Sequence, residues 1–309
     1  MRVLIVFVDG VGLGSADPGL NPLARAELPA LAALLGGRAP VADAAPFHGD
    51  RASLVGVDAT LGVAGTPQSG TGHAALLTGE NAVARFGRHH GPWVPTALRR
   101  LVMERSVLAR AKEAGLRVAF ANAYPEELAA RAAVEGVAGR RLGPLRSGPP
   151  LAAIGAGLLT RHTPALERGD AVASEITNEG WIERLGRASL PRIAPADAGR
   201  NLGRIAAAHD LTLFAHYTTD HVGHRGTMAD AVESMERVDR FLGGVLEAAP
   251  GDLLLLVVSD HGNLEAPTRQ HTRNPALGVA AGPGHRAFAE RLTDLTRVTP
   301  VVLDHLGVG

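Results

Sequence analysis

Short apolar runs that end in turn residues alternate along this chain with stretches of helical periodicity. This is the pattern of βαβ units and a mainly parallel sheet. The runs Val3–Val8, Leu116–Ala121, Leu211–Tyr217, Leu253–Val258 and Ala276–Ala281 predict strands. Met228, Val232, Met235, Val238, Leu242 and Val245 recur three or four residues apart, which predicts an amphipathic helix over Thr227–Ala248 packed on one face of the sheet. Thr96–Ala114 and Ala196–His209 read as further covering helices. Asp197 falls in the first turn of the second, where the helix dipole favours an acid. From about Tyr124 to Pro195 the pattern changes: strand signals weaken and stretches rich in Arg, Gly and Pro appear, such as RRLGPLRSGPP. The expected fold class is α/β, with a mainly parallel sheet flanked by helices in residues 1–123 and 196–309. A small, mostly helical cap would be inserted at 124–195.

Composition narrows the function classes. A chain of 309 residues with 46% hydrophobic content can bury a large core. Its formal net charge is zero, so no global positive field recruits nucleic acid or an anionic membrane, and neither is expected as a partner. With no Cys, disulfides, thiolate metal sites and a Cys nucleophile are all excluded, and any metal must be held by N and O ligands. The opening MRVLIVFVDG has an apolar run too short for a membrane span and no small-residue cleavage site, so it is expected to be a buried strand of a cytoplasmic protein.

Ligands of open α/β sheets bind beyond the carboxyl ends of the strands, which makes the residues at those ends informative. The first strand delivers Asp9, the third delivers Asp220 with His221 and His224, and the fourth delivers Asp260 and His261; His271 follows in the loop before the last strand. Asp and His also terminate strands for purely local reasons, since Asp is a good turn former. As a group, however, these acids would converge on one sheet edge, and clustered carboxylates repel unless a cation neutralises them. A mixed Asp/His set suits Zn²⁺ or Mn²⁺ better than Ca²⁺. Adjacent residues seldom both point into one site, so Asp220 and His224 are favoured over His221.

The second constellation is GTPQSGTGHAALLTG, Gly65 to Gly79. Its small residues permit close backbone approach to a ligand, and a helix starting near Ser69, Gly70 and Thr71 would present free amides to a phosphate oxygen. Taken alone, the segment better suits an ordinary helix N-cap. It lacks the Lys of a P-loop and the G-x-S-x-G of a nucleophile elbow, and the glycines of DGVGLG are spaced wrongly for dinucleotide binding.

In order along the chain, Asp9, S69-G-T-G-H73, D220-H-V-G-H224, D260-H-G-N263 and H271-T-R-N-P275 resemble the alkaline phosphatase superfamily. The closest likeness is to its metalloenzyme branch of cofactor-independent phosphoglycerate mutases and phosphopentomutases. The terminal RVTPVVLDHLG looks like the helix that closes that fold. The resemblance implies two divalent ions, one held by Asp220, His224 and His271 and the other by Asp9, Asp260, His261 and the Ser69 oxygen. It further implies in-line attack by Ser69 on a small phosphorylated substrate, giving phosphoserine. The sequence departs from the mutases in its short insert and in TPQSGTGH around Ser69, so hydrolysis is expected ahead of a phosphomutase activity. A phosphodiesterase and a non-catalytic metal-binding protein are the remaining alternatives. Arg131, Arg140, Arg141, Arg146 and Arg161 of the insert could clamp a phosphate or simply form a solvated basic surface. His89 and His90, beside Arg85 and Arg88, could line the entrance. His73 matches the family position but is assigned no ligand role.

Overall fold

The computed structural model describes residues 1–135, 142–266 and 268–308. Seven strands form one sheet: β1 (Arg2–Val8), β2 (Phe47–His48), β3 (Ala52–Val57), β4 (Val118–Phe120), β5 (Leu211–His216), β6 (Leu253–Val258) and β7 (Ala276–Ala281), in the order β2-β3-β7-β6-β1-β5-β4. β1 is central and pairs in parallel with β5 and β6, and β4 pairs in parallel with β5. The other edge is antiparallel, β7 running against both β6 and β3, and β3 against β2. The sequence pattern locates the parallel half and β7, while β2 and β3 are additional. Leu116–Ala121 contracts to the three residues of β4.

A strand buried on both faces reads as a continuous apolar run, and β1, β5 and β6 do so because helices cover both sides. Val3, Ile5 and Phe7 face one apolar cluster, whereas Leu4, Val6 and Val8 face the other. On the second face the Met228–Ala248 helix buries Met235, Val238, Leu242 and Val245 of its expected stripe, together with Phe241, while Met228 and Val232 are only partly buried. Thr227 starts it with a capping box to Asp230. The stretch expected as a helix from Thr96 to Ala114 is instead two helices, Thr96–Arg105 and Val107–Glu113, because Ser106 leaves the helical region and caps the second one. The segment expected as a single cap is shared between two cores. Leu142, Leu145, Leu151 and Ala152 join the cluster that contains Ile5 and Leu213, while Ala165, Leu166, Trp181 and Leu190 form a small cluster with Ala123. Among the described residues no helix is long and apolar enough to cross a membrane.

One buried carboxylate holds two helices together. Asp239, on the Met228–Ala248 helix, accepts from the Ala30 amide at 2.9 Å and the Leu31 amide at 2.8 Å. These amides lie in the first turn of the Pro29–Leu34 helix, whose own N-cap, Leu28, has no side chain to satisfy them. Asp239→Ala leaves both donors unpaired and is expected to cost about 3 kcal/mol of stability, from the penalty of orphaned buried hydrogen-bonding groups. Chemical denaturation checks this, and a loss below about 0.5 kcal/mol, typical of a neutral surface change, would contradict it.

Candidate metal centre

The parallel register aligns the ends of three central strands, setting Val8 beside His216 and Phe7 beside Val258. The residues that follow them meet at one edge. Asp9 follows β1 directly, and the chain then turns through Gly10 at φ +70°, with the Asp220 carboxylate packed where a side chain would stand. Asp260 and His261 follow β6. After β5 the chain enters a short helix, Thr218–Arg225, so Asp220 and His224 project one turn apart on one face. His221 lies off that face and is exposed, lining the cleft mouth rather than the acid cluster. Ser69 is the first residue of the Ser69–Thr78 helix, not its cap. Gln68 holds the cap position, and the Ser69 hydroxyl is hydrogen-bonded to His261 Nε2 at 2.9 Å.

Donor atoms of Asp9, Asp260 and His261 lie within 4.8 Å of one another, and so do those of Asp220, His261 and His271. His261 Nε2 is 3.4 Å from Asp9 Oδ1 and from Asp260 Oδ2, and 4.0 Å from Asp220 Oδ1. Asp220 faces His271 Nε2 through Oδ1 and His224 Nε2 through Oδ2, each at 3.5 Å. His261 thus stands between the two groups, and His224 joins the second through the other carboxylate oxygen.

The tautomers follow from the second nitrogen of each ring. Nδ1 of His224, His261 and His271 faces a backbone carbonyl, of Arg269 at 3.0 Å, Gly262 at 3.3 Å and Pro67 at 2.8 Å respectively. A carbonyl only accepts, so each Nδ1 carries the hydrogen, and each ring in its neutral form aims a lone pair from Nε2 at the carboxylates. Nε2 of His224 and of His271 are 2.9 Å apart, two acceptors facing each other, an arrangement that a shared cation satisfies. His73 has the opposite polarity. The Gly148 amide donates to its Nδ1 at 3.3 Å, which leaves the hydrogen on Nε2, 3.2 Å from Asp260 Oδ2. That hydrogen faces the carboxylate without making a hydrogen bond to it, and it makes the ring a poor ligand. Asp9 Oδ1 and Asp260 Oδ2 are buried without a hydrogen-bond partner. Orphaned carboxylate oxygens beside imidazole lone pairs fit divalent cations.

Electrostatics agree with that fit. Burial, and then the neighbouring Asp260, push the Asp9 carboxyl above its ordinary range. Burial works against charge on Asp260 too, but His261 and His73 beside it hold it low. Although burial opposes protonation of His261, Asp260 and Asp9 pull its pKa up to about 10, and Asp260 and Asp9 pull His73 up to about 9. In metal-stripped protein, protons therefore take the place of cations. A folded-state pKa raised above the ordinary 6.5 gives stability that is complete below 6.5 and lost as pH climbs to about 10. The melting temperature of stripped protein is expected to fall over that interval, and that of zinc-loaded protein to fall less. A stripped protein whose melting temperature is flat or rising there would contradict the assignment.

Glu265 carries no signal in the sequence beyond being an acid two residues after Asn263, yet it is 2% exposed and holds the site's loops together. Its Oε2 accepts from the amides of Gly12 at 2.9 Å and Asn263 at 2.8 Å, and its Oε1 from the Thr272 hydroxyl and the Asn274 amide group. It thereby ties the segments that carry Asp9, Asp260, His261 and His271. Asn263 in turn donates to Asp220 Oδ1 at 2.7 Å. The expected entrance pair does not line the cleft: His89 Nε2 faces the Val63 carbonyl, and the His90 backbone pairs with Thr71. Of the insert's arginines, Arg161 is spent on the carbonyls of Asp170 and Phe120, and Arg146 stacks on Trp93 at 4.8 Å. Arg131 borders a cavity beside the cleft, and Arg140 and Arg141 lie outside the described residues. The cleft itself, about 340 Å³, is lined by Asp9, Ser69, His73, Trp93, Tyr217 and Asp220 among others.

Known proteins are similar to parts of this chain in sequence or to its fold. The 2,3-bisphosphoglycerate-independent phosphoglycerate mutase of Syntrophotalea carbinolica is 33% identical over 126 residues, and that of Paracoccus denitrificans 36% over 128. Each match spans 37% of this chain and only 24% of the relative's length. In three dimensions the Thermus thermophilus alkaline phosphatase superposes with a TM-score of 0.56 at 15% identity, over 100% of this chain and 92% of that one, which establishes likeness of fold. The model of the Metalloenzyme superfamily matches residues 1–309, and the chain belongs to that superfamily.

Proposed function

We propose that this chain is a two-metal phosphoryl-transfer enzyme that hydrolyses a small phosphate monoester through a phosphoserine at Ser69. The observation that carries the proposal is the Ser69 hydroxyl, 2.9 Å from His261 Nε2, beside two orphaned carboxylate oxygens and three imidazoles with Nε2 aimed inward. Asp220, His224 and His271 would hold one ion, and Asp9, Asp260, His261 and Ser69 Oγ the other. When bound, such ions supply positive charge to the phosphoryl oxygens and favour the ionised form of a serine hydroxyl.

The chain's own groups do the rest. Ser69 lies in the first helical turn, where the leading amides have no intrahelical acceptor and favour an anionic oxygen. Its Oγ attacks phosphorus as the ester oxygen departs in line, and the departing alcohol takes up a proton. Water then attacks the phosphoserine, releases inorganic phosphate and returns a proton to Ser69. His73 stands beside Asp260 as a positive neighbour, and Glu265 keeps the ligand loops in register.

Hydrolysis is favoured over transfer back to the substrate by an open site. The His224 side chain is 37% exposed and His221 also meets solvent, so the site is open to water on the side of His224. The mutase reading draws its support from the names of the partial-length relatives. Metal-stripped protein reloaded with Zn²⁺ or Mn²⁺ and given p-nitrophenyl phosphate or the bis-p-nitrophenyl diester tests the proposal. Metal-dependent release from the monoester, exceeding that from the diester, is expected. Binding of metal with no turnover of either ester would refute hydrolysis, and faster turnover of the diester would favour a phosphodiesterase.

A further inference from the structure

A second cavity, of about 530 Å³, borders the cleft over the ligand side chains at Tyr217. Tyr217 and Pro144 line both. Tyr124, Leu128, Trp181 and Leu185 form the walls of that cavity. The walls are fixed: Tyr124 stacks on Phe120, and Trp181, 4% exposed, belongs to the small cluster with Leu166 and Leu190. Its acids are already engaged, Glu127 with Arg187 at 2.6 Å and Glu175 with the Gly180 amide at 3.0 Å, and Arg131 and Arg184 also line it. Leu185, by contrast, leaves 48% of its surface in water at the rim, as few large apolar residues of this chain do.

A largely apolar chamber that shares Tyr217 and Pro144 with the cleft over the metal-ligating groups suits a ligand with two unlike ends. We propose that this cavity receives the alcohol portion of the phosphomonoester, and that this portion is an aromatic or similarly bulky apolar group rather than a short hydroxy acid. The proposal rests on the reading of the metal centre as a phosphate site. Phosphonate anchored at that centre would place its organic substituent toward Tyr217, and the apolar walls beyond would remove that substituent from water. Trp181 and Leu185 then act on affinity and not on the reacting atoms.

Titration calorimetry of the zinc-loaded full chain with methylphosphonate and with naphthylmethylphosphonate separates the two ideas without needing turnover. The aryl compound is expected to bind at least about tenfold more tightly, from the apolar area it buries. Trp181→Ala and Leu185→Glu should each remove most of that advantage and leave methylphosphonate affinity unchanged. The half-exposed position of Leu185 keeps the test available if Trp181→Ala fails to fold. Equal affinities for the two compounds, or an aryl advantage retained in either folded variant, would overturn the proposal. Failure of both phosphonates to bind would remove the phosphate-site reading itself, and the proposal with it.

Discussion

Ser69→Ala is expected to lower monoester turnover at least about a thousandfold, the scale of losing a nucleophile, while the protein still folds and still binds two divalent ions. Ser69 makes one side-chain hydrogen bond, to His261, and its backbone begins a helix that alanine continues without strain. Stability should therefore change little. In the proposed site the ion beside Asp9 keeps three of its four protein ligands, so its affinity should fall modestly against the loss in rate. That split is the diagnostic feature. A nucleophile is needed only for chemistry, whereas a purely structural Ser69 would lower stability and leave the rate per folded molecule intact. Rates and metal content measured on the same preparation decide it, and turnover within about tenfold of the parent protein would contradict the assignment.

The second large effect is expected at Asp260. Its carboxylate is fully buried, accepts from the Gly10 amide at 3.3 Å through Oδ1, and turns Oδ2 toward both His73 and His261. Asp260→Asn keeps the shape and removes the charge. The loss should resemble the breaking of a buried ion pair, about 3–5 kcal/mol, or roughly a hundred- to a thousandfold or more in the Kd of one ion. Asp220, His224 and His271 do not depend on that charge, so metal content after dialysis at limiting zinc should drop from two ions to one. Retention of both ions with unchanged affinity would mean that Asp260 is not a ligand.

Much of the candidate site was legible because its residues follow strands whose apolar runs are unmistakable. Asp9 comes straight after β1 and Asp260 with His261 straight after β6, so position in the chain nearly fixes position in space. Asp220 and His224 were legible for another reason: a spacing of four puts them on one helical face even though the short helix itself was not foreseen. The same spacing relates Ser69 to His73 and could have drawn His73 into the site as a positive neighbour of Asp260. Glu265 was beyond reach, since its role depends on where the Gly12, Asn263 and Thr272 segments meet, which no local pattern encodes. The antiparallel edge was hidden because β3 reads ASLVGV, in which Ser53 and Gly56 dilute the apolar run, and β2 has only two residues. The break at Ser106 was masked by continuous helix-forming residues on both sides. The insert misled because its composition is loop-like while Leu145, Leu151 and Ala152 within it belong to the main core.

The central claim is that phosphate passes through Ser69. Metal-loaded protein given a phosphomonoester, quenched in acid during turnover and examined by intact-mass and peptide mass spectrometry, tests it most directly. The account predicts one added phosphoryl group on the peptide containing Ser69, absent from metal-stripped protein and from Ser69→Ala. Turnover that proceeds with no phosphoprotein at any quench time, or with the phosphoryl group on another residue, would contradict it.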